Sequence, residues 1–160
     1  IGVLFVESRK SAKKKLEESI QRYCEVMVER KIEGREFTVG IVGEMPLPVI
    51  ELKPKRKFYD YKAQYTKGLT RYLVPAPISP AFQKKLQTLA FKVHQALEMR
   101  DLCRVDLMTD RDEQPYVLEV NSIPGFTETS LLPKAAKVVG LEFRDLCIKL
   151  LQLANKRRMV

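Results

Sequence analysis

Between Arg104 and Pro133 the chain reads RVDLMTDRDEQPYVLEVNSIPGFTETSLLP. Alternating apolar and polar residues predict two strands joined by a charged turn at residues 110–114, then a Pro-Gly loop and the start of a helix. Residues two apart on a strand share a face. Arg104 and Asp106 therefore project together, as do Glu119 and Asn121, while Val105 and Val120 turn into the core. A hairpin closed at this turn brings two carboxylates, an amide and a guanidinium onto one surface. Carboxylate and amide oxygens suit Mg²⁺, which takes few protein ligands and leaves its other positions to water and phosphate. A fixed guanidinium beside them suits a developing anion. That chemistry is phosphoryl transfer rather than triad hydrolysis. A lone E-x-N pair is also what a solvated strand edge carries. The upstream Arg-x-Asp pair, the alternation and Pro124-Gly125 set this one apart.

The elements that must position these groups follow from the rest of the chain. Residues 1–6 (IGVLFV) read as a buried strand, and their abrupt beginning suggests a start inside a larger protein. Ser8 is placed to cap a helix to about Tyr23, with Ala12, Leu16 and Ile20 on its inner face. Strands are expected at 25–29, 36–42 and 47–52, with Gly34 and residues 43–46 as breaks. Glu29 and Glu36 flank Gly34, where they can accept hydrogen bonds from an amine or ribose, or simply face solvent. Residues 53–69 (KPKRKFYDYKAQYTKGL) have no steady period and read as a long loop, either a lid over a ligand or a self-packed surface loop. A short strand at 71–74 precedes Ser79-Pro80, a helix start. That helix runs to about Glu98 and buries Phe82, Leu86, Leu89, Ala90, Val93 and Leu97. His94, the single histidine, reads as structural or exposed rather than catalytic. A helix from Ser130 ends at Gly140, and a closing amphipathic helix at 142–155 turns Phe143, Leu146, Leu150 and Ala154 inward. Backbone N–H groups at Gly125 and near Ser130 are placed to hold an oxyanion or carboxylate.

The 160 residues suit one domain with a real core, and 45% apolar with 31% charged residues argue against disorder. No apolar run spans a membrane and no signal-peptide pattern opens the chain. Cys24, Cys103 and Cys147 are far apart among apolar residues. Buried reduced thiols and a cytoplasmic protein are the expectation. The net charge of +9 is spread over residues 13–15, 53–57, 84–85 and 156–158 without aromatic interleaving. It therefore suits an anionic nucleotide or a solvated surface better than nucleic acid.

The blocks EVMVERKIEGREFTVGIV, FYDYKAQY, LVPAPISP, RVDLM and YVLEVNSIPGFTETSLLPKAA, with the closing helix, resemble in order the D-alanine–D-alanine ligases of the ATP-grasp superfamily. The resemblance covers nearly the whole chain but only the C-terminal half of such an enzyme. It implies an α+β ATP-grasp C-terminal domain, mainly antiparallel sheet flanked by helices. Residues 1–160 would form a single fragment lacking the N-terminal substrate domain and the first ATP-grasp subdomain. It also implies an ATP-dependent ligase joining two D-alanines through an acyl phosphate for peptidoglycan precursors, inactive as an isolated piece. Asp106, Glu119 and Asn121 match the ligands of two Mg²⁺ ions, for which Mn²⁺ is an admissible substitute. Arg104 and the Gly125 N–H match the oxyanion-stabilising groups. Glu29, Arg30 and Ile32 match the adenine hinge, Glu36 the ribose contact, and Phe58 and Leu118 the adenine walls. Tyr65 and Ser130 match a hydrogen-bonded pair near the substrate, and the backbone at Ser130-Leu131 the acceptor's carboxylate site.

The family usually has lysine where this chain has Gln64, and a neutral amide supplies no point charge to a polyphosphate. Lys62 is the substitute two residues earlier. The expected partners are ATP and D-alanine, with no nucleic acid or membrane, and the full-length enzyme admits a homodimer. The alternatives are another ATP-grasp amino-acid ligase, or a catalytically weak nucleotide-binding module.

Overall fold

The computed structural model describes residues 3–6, 8–54 and 70–156. They fall into two compact units, Ile1–Ile32 and Glu33–Val160.

In the first unit, α1 spans Arg9–Tyr23. The Ser11 N–H donates to Ser8 Oγ at 3.3 Å, so Ser8 is the N-cap expected from the sequence. The helix ends at Cys24, whose φ is 64°. Three expectations are corrected here. Residues 3–6 and 25–29 form no strands, and Val3 and Val6 are exposed at 77% and 53%. An extended run becomes a strand only where another backbone edge takes its hydrogen bonds, and no described strand pairs with either. The intended inner face of α1 is also open. Leu16 and Ile20 are exposed, and Ser19 is the buried residue. Cys24 is exposed, whereas Cys103 is buried and Cys147 half-buried.

The second unit is an antiparallel sheet of six strands: β1 (Arg35–Val42), β2 (Met45–Pro46), β3 (Ile50–Pro54), β4 (Thr70–Leu73), β5 (Leu102–Thr109) and β6 (Pro115–Asn121). Their order is β4-β3-β1-β5-β6, with β2 paired to β1. The strand expected at 47–52 begins later, at Ile50. Pro46 and Pro48 cannot donate to a ladder, so Leu47 to Val49 run between strands. Leu47 is nonetheless fully buried.

Alternation along β1 and β5 divides the core between the two sheet faces. Phe37, Val39, Ile41, Cys103, Val105 and Leu107 pack against α2 (Pro80–Ala96) through Phe82, Leu86 and Ala90. The Ser79-Pro80 start is observed, with the Phe82 N–H donating to Ser79 Oγ at 3.2 Å. Leu97 lies beyond the helix and is 52% exposed rather than buried. His94 fills the inward position instead, its Nδ1 3.2 Å from Cys103 Sγ and its ring stacked on Phe91. Burial lowers the His94 pKa and raises that of Cys103 to about 11. The two meet as neutral groups, and His94 is structural.

The opposite face carries α3 (Leu131–Val138) and α4 (Phe143–Lys156), whose Leu132, Ala135, Ala136 and Leu146 join Val42, Leu47 and Ile50 in a second core. Gly40 allows this approach, because a Cβ there would lie 3.1 Å from both Leu132 and Leu47. The start of α3 is thereby held close over the face that Arg104 and Asp106 share.

Gly34 sits at the entrance to β1, and a Cβ there would fall 1.8 Å from the Thr109 carbonyl oxygen. A backbone atom cannot swing aside as a side chain can. Gly34→Ala is expected to cost about 3 kcal/mol, read as a lowered urea midpoint. A midpoint equal to wild type would show that the two backbones part without penalty.

Candidate active site

Cross-strand register assembles the site. Arg104 lies opposite Asn121 and Asp106 opposite Glu119. On the other side of β5, Thr38 lies opposite Asp106 and Gly40 opposite Arg104. Paired residues share a face, so Arg104, Asp106, Glu119 and Asn121 project together with Thr38 of β1. The four residues singled out in the hairpin are indeed brought together, and the turn at 110–114 closes it. Asp110 Oδ1 accepts from the N–H groups of Asp112 and Gln114, and Tyr116 Oη donates to Asp110 Oδ2 at 3.0 Å.

Asp106 is the hub. Its Oδ1 accepts from Thr38 Oγ1 at 2.5 Å and Arg104 Nε at 2.9 Å. Its Oδ2 accepts from Arg104 Nη2 at 2.7 Å and Asn121 Nδ2 at 3.3 Å. The Asn121 amide also donates to Glu119 Oε1 at 3.0 Å, so one N–H₂ group bridges both carboxylates. The Arg104–Asp106 pair is two-pronged and only 14% and 15% exposed, conditions under which a charged hydrogen bond is strong.

A β-bulge refines the alternation read from the sequence. Asp106 pairs with Glu119 but Leu107 pairs with Val117, which leaves Leu118 as the extra residue. Val117 and Glu119, two apart in sequence, therefore stand opposite residues on opposite faces of β5. Leu118 is 48% exposed beside the acidic pair. Its only signal in the sequence is the apolar pair Val117-Leu118, which breaks the period of two.

Glu36, two residues before Thr38 on β1, feels the same face. Burial raises its pKa to about 7, the charges of Asp106 and Glu119 push the same way, and Arg104 opposes them. Among the described residues no three histidine, cysteine or acidic side chains converge on one point. The donor set is two carboxylates and an amide, which fits a hard divalent cation better than zinc.

In the following loop, Ser130 Oγ accepts from the Thr127 N–H at 3.1 Å and lies 2.9 Å from Thr127 Oγ1. A Cβ on Gly125 would lie 3.3 Å from Ser130 Oγ, so loop and helix start are closely apposed. Glu29, Arg30 and Ile32 belong to the first unit, in the irregular stretch after α1, where Glu29 and Arg30 are exposed. Phe58, Lys62, Gln64 and Tyr65 lie outside the described residues. Thr38 was missed from the sequence. Its signal was its place two residues from Glu36 on a strand that neighbours the hairpin.

The family profile D-ala D-ala ligase C-terminus matches residues 1–152. The chain is 44% identical over 158 residues to a D-alanine–D-alanine ligase of Syntrophotalea carbinolica, covering 99% of this chain and 52% of that protein. A solved D-alanine–D-alanine ligase from Bacillus anthracis complexed with ATP superposes with a TM-score of 0.81 at 30% identity, covering 99% of this chain and 52% of that one. VanG D-Ala:D-Ser ligase from Enterococcus faecalis superposes with a TM-score of 0.81 at 30% identity, covering 95% and 45%. The chain spans about half the length of the curated relatives it matches.

The raised Glu36 pKa has a stability consequence. Between about 4.5, its ordinary value, and about 7, the folded chain holds a proton that the unfolded chain releases. Stability from this group is therefore present below pH 4.5 and declines as pH rises through 7. Glu36→Gln, which mimics the protonated form, is expected to remove that decline. In chelator-treated buffer its urea midpoint should gain on wild type between pH 5 and pH 8. A constant difference across that range would show that Glu36 titrates normally.

Proposed function

The chain belongs to the D-alanine–D-alanine ligase family, as its C-terminal portion with an α+β ATP-grasp fold, and from that membership we propose that it supplies the phosphoryl-transfer floor of an ATP-dependent ligase joining two D-alanines. In this reading residues 1–160 act as one C-terminal ATP-grasp fragment. A substrate domain and the first ATP-grasp subdomain come from the rest of a longer protein. The observation that carries it is the convergence of Arg104, Asp106, Glu119 and Asn121 on one sheet face.

Asp106, Glu119 and Asn121 are the proposed ligands of Mg²⁺, two ions in the family reading, with Mn²⁺ as an admissible substitute. Bound there, the metal would neutralise the charge on the ATP phosphates. Glu36 would accept from the ribose and Leu118 would wall the adenine. Glu29, Arg30 and Ile32 would contribute the adenine hinge, and Phe58 and Lys62 the remaining nucleotide contacts.

A carboxylate oxygen of the first D-alanine attacks the γ-phosphorus, and ADP leaves. The amine of the second D-alanine then attacks the acyl-phosphate carbonyl. The N–H proton is lost, the C–O bond to phosphate breaks and inorganic phosphate departs. In this reading Arg104 and the Gly125 N–H would stabilise the tetrahedral oxyanion, and Ser130 with Tyr65 would orient the acceptor. No protein nucleophile is required, so catalysis rests on position and charge. The product suits peptidoglycan precursor synthesis and cell-wall growth. Free cysteines fit a cytoplasmic setting. Among the described residues no helix is long and apolar enough to cross a membrane. The full-length enzyme admits a homodimer.

A second reading has a different acceptor. The VanG match favours considering D-serine, and competition between the two amino acids separates these readings.

In the complete enzyme, Asp106→Asn and Glu119→Gln are each expected to lower D-alanine-dependent ADP release by more than about 100-fold, beyond the usual loss for a metal-supporting group. Unchanged turnover in either variant removes that residue from the cation site. The 160-residue chain by itself is expected to form no dipeptide. Measurable D-alanyl-D-alanine from it would show that this half is sufficient.

A further inference from the structure

We propose that Thr38 is a positioning residue that fixes Asp106 so that Oδ2, and not Oδ1, is the oxygen offered to the catalytic cation. The inference rests on the cation-site reading above and extends it to a residue on a neighbouring strand. Thr38 is 1% exposed, in the middle of β1 and directly opposite Asp106. Its hydroxyl has one proton and two oxygens in reach, Asp106 Oδ1 at 2.5 Å and the Val105 carbonyl at 3.3 Å. The shorter contact, to a charged acceptor, takes the proton.

A carboxylate offers about four lone-pair sites, and all of Asp106's are taken by Thr38 Oγ1, Arg104 Nε, Arg104 Nη2 and Asn121 Nδ2. A cation must therefore displace a donor. The two oxygens differ in how readily they release one. Oδ1 faces β1, where a β-branched, fully buried side chain holds it with little freedom to turn away. Oδ2 faces β6, where Asn121 is the partner and bridges to Glu119. Rotation of that amide withdraws one hydrogen bond from each carboxylate and presents Asn121 Oδ1 in their place. Asp106 Oδ2, Glu119 Oε1 and Asn121 Oδ1 then become acceptors on the same side together. Thr38 makes the carboxylate two-sided, with one oxygen anchored and the other exchangeable. Without its hydroxyl, Oδ1 keeps only the Arg104 Nε bond, so the carboxylate loses its anchor on the β1 side and the ligand set its preset geometry.

The test is Mn²⁺ binding to the complete enzyme with a non-hydrolysable ATP analogue, followed by electron paramagnetic resonance. Thr38→Val removes the hydroxyl at nearly constant volume and is expected to weaken Mn²⁺ about 10- to 100-fold, the usual effect of losing a partner of a metal ligand. Thr38→Ser is expected to restore the affinity, which a purely volumetric role for Thr38 would not allow. Each variant is melted first, and Thr38→Ala replaces Thr38→Val under the same criteria if the valine form does not fold. Wild-type affinity in the hydroxyl-free variant, with Asp106→Asn losing Mn²⁺, overturns the Thr38 assignment alone. Wild-type affinity in Asp106→Asn overturns the cation-site reading and this inference with it.

Discussion

Asp106 sits half-buried at the centre of a sheet face, and everything proposed for the site depends on how its carboxylate is held. A carboxylate so placed has given up much of its hydrogen bonding to water. Four hydrogen bonds take its place, two of them from a single guanidinium. Each donor comes from a different place in the sequence. Thr38 is on β1, Arg104 is two residues away on β5 itself, and Asn121 is on β6. The antiparallel order β1-β5-β6 makes them neighbours. Flanking Asp106 with a strand on each side provides donors on both edges of its carboxylate, which an edge strand would not.

The same arrangement explains why Glu36 differs from Asp106. It shares the face and part of the burial, and it feels both Asp106 and Glu119. Arg104 is committed to Asp106 through both prongs, so its help to Glu36 is the smallest of the four influences. One face thus holds a carboxylate satisfied by four hydrogen bonds and another pushed toward neutrality by desolvation. In the proposed reading, Asp106 serves the cation and Glu36 the uncharged sugar.

The two helical layers have separate tasks. On the face away from the site, α2 closes an apolar core in which His94 and Cys103 meet as neutral partners. On the site face, α3 approaches closely over Gly40, which brings the Gly125 loop and Ser130 to the helix start. Small residues at these two points set the distance between the sheet and the helix beginning. That distance determines where the backbone N–H groups of the loop lie.

The hairpin from Leu102 to Asn121 was legible in the sequence because its alternation, its Asp-rich turn and its Pro-Gly end are local signals that agree. The capped starts of α1 and α2 were legible for the same reason. Strands were expected at 1–6 and 25–29, and none forms at 3–6 or 25–29, because apolar alternation shows that a segment can pair, while pairing itself needs a second edge. Thr38 was invisible as a site residue, since the sixty-eight positions separating it from Asp106 vanish only when β1 lies beside β5. Residue type and period by themselves determined which side chains share a face of one strand. Only the tertiary structure decided which strands are neighbours, where the bulge at Leu118 resets the period, and which oxygen of Asp106 each donor reaches. Those are properties of register, set by the hydrophobic packing of both faces at once.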